Sequence, residues 1–190
     1  MKTPKILSAE TLLEGIKPPP YRSWFSKIVG KVHHVRLDTK SQHPLSVFTN
    51  HLGQTLGYEH PIHLSVASIA EHIAGFYPNT SPVKTSPSKI YISYGFLKDF
   101  PEDTQVLIAQ FIAQMLLIQE EKPNKTSNSA HIQSLADAHA ASIYGVEKVM
   151  AMLEHTLPPG DSSYIPRIQA LGLIQHAEKV QARNTNPHTR

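Results

Sequence analysis

The sequence predicts an α+β domain, helix-rich, with a small sheet preceding one central helix. Three observations lead there. The stretches PIHLSVAS (61–68) and KIYISY (89–94) alternate apolar and polar residues, the period of half-buried strands. They follow one another without the strand–helix–strand alternation of a parallel sheet, which favours α+β. After them comes VLIAQFIAQMLLI (106–118), eleven apolar residues in thirteen, interrupted only by Gln110 and Gln114. A helix that is apolar nearly all round is buried.

The other elements follow in chain order. Ser8 is placed to cap a short helix through AETLLEGI, which KPPP at 17–20 ends. In YRSWFSKIVGKVHHVRL, Trp24, Phe25, Ile28, Val29, Val32 and Val35 fall at helical spacing with Arg22, Lys27, Lys31 and Arg36 mostly between them. That pattern is a basic amphipathic helix over 21–36, read either as packing on the domain or as docking on a membrane surface or partner. PLSVFTNHLGQTLG (44–57) puts Leu45, Phe48, Leu52 and Leu56 on one face, with Gly57 as a stop. Three prolines make 74–88 loop-like. The central helix opens at Pro101, with Glu102 and Asp103 in the first turn where carboxylates suit the helix dipole. EEKPNKTSNS is a linker, residues 131–144 form a helix closed by Gly145, and a further helix covers VEKVMAMLEHTL. LPPGDSS breaks it and YIPRIQALGLIQHAEKVQA ends the fold. The expected organisation is an N-terminal helical arm (1–40), one domain (41–182) and a disordered tail (183–190).

Composition narrows the function classes. The 190 residues hold no cysteine, so there is no disulfide framework and no thiolate metal site. A net charge of +3 and a pI near 9.0, without blocks of like charge, fall short of a nucleic-acid signature, and no nucleic-acid partner is expected. The N-terminus lacks the apolar core of a secretory signal, and no run reaches the roughly 18–20 apolar residues of a membrane span. The expected location is therefore cytoplasmic. No P-loop, dinucleotide glycine fingerprint or G-x-S-x-G elbow is present.

The chemistry-bearing question is the glutamine pair. Residues four apart on a helix share a face, so Gln110 and Gln114 project together. Buried amides cost about 1–3 kcal/mol each unless hydrogen-bonded. They either find partners in a core or line a polar cleft.

The order of segments carries a resemblance. A strand KIYIS is followed by YGFLKDFPEDTQVLIAQFIAQM, a linker, QSLADAHAASIYGVEKVMAMLE and YIPRIQAL. This resembles the zinc metallopeptidases of the HtpX and CAAX-prenyl-protease family, gluzincins, over roughly residues 45–175. In that family a strand, GLL and an acidic stretch precede a helix with AHELGH, then come a helix with ExxAD and a late HPxxxxRIxxL. The matching framework is YGFL (94–97), Glu102–Asp103, Ala109, Ala136–Asp137, Gly145 and RIQAL (167–171). The resemblance implies a zincin-like fold and a zinc-dependent endopeptidase ancestry.

The catalytic positions depart from the family pattern. Carried over, the two histidine ligands fall on Gln110 and Gln114, the general-base glutamate on Phe111 and the third ligand on Gln133; the late HP reads Asp161–Ser162. A zinc peptidase site needs donors such as His₂Glu, and neutral amide oxygens are weak substitutes. Phe111 cannot accept a proton from a metal-bound water. The resemblance implies a pseudopeptidase: no catalytic residue, no metal, and zinc expected for the family but not here. Gln110, Gln114, Gln133, Asp137 and Arg167 are the candidates for its former site or cleft. Asp137 is placed to accept an amide N–H, and the amides to bond one another.

In zincin-like folds a substrate strand adds to a sheet edge, so a protein or peptide partner is expected along 73–77, with Phe76 and Tyr77 as contacts. Other functions stay open. One is a hydrolase with an unconventional metal set drawn from the twelve histidines, or with no metal. The other is a docking protein run by the 21–36 helix. No group of histidines shows chelating spacing: His131 and His139, eight apart, sit about 80° off one face.

Overall fold

A computed structural model describes residues 6–16, 34–37, 42–79, 86–120, 129–158 and 160–185. The fold is α+β. Four strands form one sheet in the order β1–β2–β4–β3: β1 (His34–Leu37), β2 (Ile62–Ala67), β3 (Ala74–Tyr77) and β4 (Ser88–Ser93). The central pair β2–β4 is parallel, with Leu64 opposite Ile90 and Val66 opposite Ile92. Both outer strands run antiparallel to their neighbours. The alternation read from the sequence sets the faces: Ile62, Leu64, Val66, Ile90 and Ile92 are buried on the side that the helices cover.

Helix α1 (Ala9–Leu13) has Ser8 as its cap, the hydroxyl accepting the Thr11 N–H at 3.3 Å. Although it falls within the expected arm, Leu12 and Ile16 enter the main core. Helix α2 (Pro44–Thr55) buries Leu45 and Leu52, with Phe48 and Leu56 against the core, as its spacing predicts. Helix α3 (Tyr94–Asp99) leads into the central α4 (Pro101–Glu120), which is buried continuously from Thr104 to Met115. Helices α5 (Ser129–Tyr144) and α6 (Val146–Thr156) pack on α4 and on each other, and α7 (Tyr164–Thr185) packs on α5 and α6. Gly145 joins α5 to α6 at φ +89°, a conformation that favours glycine. No helix among the described residues is long and apolar enough to cross a membrane.

Four sequence expectations are corrected. Residues 34–36, read as the end of the amphipathic helix, pair with β2 as strand; residues 21–33, which carry the rest of that docking segment, lie outside the described residues. In HVRL the β-branched Val35 and a ready partner edge outweigh a helical pattern already weakened by valines. Residues 74–77, read as loop, form β3; the prolines begin only at Pro78. Residues 94–99, where the sequence reading places no helix, form α3, capped by Ser93, which accepts the Phe96 N–H at 3.1 Å. The last helix runs to Thr185, into the stretch expected to be a disordered tail.

Candidate functional site

A cavity of about 350 Å³ opens between β3 and helices α4 to α7. Each wall has a sequence reason. The central helix contributes Leu107, Gln110, Phe111 and Gln114, the i, i+3, i+4, i+7 face of a 3.6-residue period. Gln133 comes from α5, Met152 and Thr156 from α6, and Arg167 from α7. Ala74, Gly75 and Phe76 bring the end strand of the sheet to the mouth.

Gln110, Gln114, Gln133, Arg167 and Phe76, singled out from the sequence, therefore line one cavity. Asp137 stands behind its wall, 1% exposed. Its carboxylate is held by Arg167, Nε donating to Oδ2 at 2.6 Å and Nη2 to Oδ1 at 2.7 Å. This fork-on-fork geometry suits a guanidinium and a carboxylate. Gln110 Nε2 adds a third donor to Oδ1 at 3.3 Å. The ion pair ties α7 to α5, and the amide ties α4 to α5 at the same carboxylate.

That arrangement fixes which way the Gln110 amide faces. A carboxylate only accepts, so Nε2 must point at Asp137. Oε1 is then turned away from Asp137 and buried, with no hydrogen-bond partner among the described residues. Gln114, 8% exposed, and the half-buried Gln133 make no side-chain hydrogen bond among the described residues. The expected bonding of the three amides to one another does not occur: Asp137 takes the one amide N–H that finds a protein acceptor.

The apolar side of the cavity is aromatic. Phe111, at the general-base position of the resemblance, packs on Phe76 with ring centroids 5.0 Å apart. Tyr77 does not join it. Alternation along β3 sends Tyr77 to the opposite face, 64% exposed and 5.7 Å from the Tyr91 ring. Gly75 lies under that tyrosine: a Cβ there would sit 2.1 Å from the Tyr91 hydroxyl. Among the described residues no strand pairs with the outer side of β3.

Three features escaped sequence reasoning. Gln105 sits buried on α4 and clasps the backbone of Leu7, taking its N–H at 2.9 Å and giving to its carbonyl at 3.1 Å. Nothing local signals a partner 98 residues away. Phe100 is flanked by His155, stacked at 4.2 Å, and His72, edge-on at 4.9 Å. Those histidines contact Asp103 at 2.6 Å and Asp99 at 2.9 Å. The third is Tyr144, whose hydroxyl is buried without a partner among the described residues and whose pKa burial pushes up. Among the described residues no three His, Asp or Glu side chains converge as a metal group.

Comparison of the chain with protein-family models, curated proteins and solved structures yields no match.

Proposed function

We propose that the chain is a zincin-like, catalytically inactive relative of the metallopeptidases, which binds an extended peptide or protein segment in the amide-lined cavity along the open edge of β3. The observation that carries this reading is the juxtaposition itself. An end strand with no partner strand on its outer side among the described residues runs along the mouth of a cavity that holds three amides and two phenylalanines. An edge strand offers main-chain hydrogen bonds to an incoming strand, and a cavity beside it takes a side chain.

The Asp137–Arg167 contact supports the kinship. Each residue was carried over from a separate family segment, and they meet in one bidentate pair. The donor set does not suit zinc. Gln110, Gln114 and Gln133 present neutral amides, and both oxygens of the nearby carboxylate are engaged. Phe111 offers no base. These residues therefore do not suit a metal-assisted step.

The test uses the purified chain, zinc-loaded and then desalted, with a random ten-residue peptide library. Elemental mass spectrometry should find no retained zinc, and the peptides should stay intact. Amide hydrogen exchange at residues 74–77 should slow when the library is present. Stoichiometric zinc with peptide cleavage would overturn the inactive reading, and unchanged exchange at β3 would overturn the binding mode.

A further inference from the structure

We infer that the cavity selects a primary carboxamide, the side chain of Gln or Asn, from the bound segment. The inference rests on the peptide-binding reading above and deepens it.

Charge comes first. The ionised group in the cavity wall is Arg167, and Asp137 already neutralises it through two short hydrogen bonds. A charged side chain entering this space would lose its hydration without gaining a free counter-charge, which is costly. The occupant is therefore neutral.

Hydrogen-bond polarity comes second. Gln110 belongs to the cavity lining, and its Oε1 is buried, has no partner among the described residues and is held in that orientation by Asp137, so it requires a donor. A carboxylate has none. Arg167 uses Nε and Nη2 on Asp137, leaving Nη1 without a partner among the described residues, and a guanidinium only donates. It requires an acceptor, which an ammonium lacks. Gln114 and Gln133 can serve in either role. The occupant must both give and accept. A hydroxyl carries one donor on one atom, whereas a carboxamide carries two donors and two lone pairs in one plane. The cavity's 350 Å³ leaves room for a side chain of that length. Leu107, Phe111 and Met152 provide an apolar wall for its methylenes. Selection works mainly by gain, since a carboxamide gives the already buried Gln110 Oε1 a donor that an apolar occupant does not.

The test is a fluorescence-polarisation panel of labelled five-residue peptides, alanine except at the centre. The centre is Gln, Glu, Lys or Met, and the C-terminus is an N-methylamide so that no other primary carboxamide is present. The Gln peptide should bind about tenfold tighter than the other three, the equivalent of one or two hydrogen bonds. Gln110→Met should level the panel by weakening the Gln peptide alone. Gln133→Met, on the more exposed wall, should narrow the preference and serves if the first variant does not fold. Equal binding of all four peptides overturns carboxamide selection and leaves peptide binding standing. A preference for Glu or Lys overturns it as well. No binding by any peptide overturns both readings.

Discussion

Gln105 and Gln110 lie on the same helix, both almost fully buried, 0% and 3% exposed. Their amides are used in opposite ways. Gln105 satisfies donor and acceptor on one backbone residue, Leu7, and fastens the start of the described chain to the central helix. Gln110 satisfies its donor only, and its acceptor is left buried in a cavity wall. One glutamine completes the fold; the other holds an unmet requirement. Burial and residue type do not separate these two amides, but a count of their hydrogen bonds does.

The largest expected effect tests what holds Gln110 in place. Removing one partner of a buried ion pair strands the other charge, so Arg167→Met should cost about 3–5 kcal/mol in chemical denaturation. A loss under 1 kcal/mol would mean that the pair does not fix the wall. The next test sets the two glutamines against each other. Gln105→Met leaves the Leu7 N–H and carbonyl unpaired and should cost about 1–3 kcal/mol. Gln110→Met removes one long hydrogen bond together with the orphaned oxygen, and should change stability by less than about 1 kcal/mol. Equal losses would erase the contrast.

The smallest effect is a pH dependence at the start of α7. The Ser163 hydroxyl and N–H both donate to Asp161, and with Arg167 nearby they hold its carboxyl below the usual value. A carboxyl depressed in the fold stabilises above its unfolded pKa, and that contribution is lost as pH falls through the lower folded value. The melting-temperature difference between the native chain and Asp161→Asn should thus be present at neutral pH and fade in acid. A difference independent of pH would assign Asp161 a purely steric role.

Much of the site was legible because helices are periodic. Spacing alone put Gln110 and Gln114 on one face, and segment order brought in Gln133, Asp137 and Arg167. The strands β1 and β3 were not legible, since four residues carry little alternation and their pairing depends on partners far along the chain. Nor could the sequence separate Phe76 from Tyr77. Which one faces the cavity depends on the register of β3 against β4, where a shift of one residue would exchange them. The partner of Gln105 and the missing partner of Gln110 are both tertiary facts. No local pattern distinguishes the two glutamines.

The Asp137–Arg167 pair also sets an order of events. Its carboxylate is synthesised 30 positions before its guanidinium. Until α7 follows, the helices bearing Gln110, Gln133 and Asp137 can meet, but the acid between them has no counter-charge. A chain leaving the ribosome builds from its N-terminus. The cavity thus matures only once α7 has been made, and a nascent chain halted before α7 would hold the Asp137 carboxylate without its counter-charge.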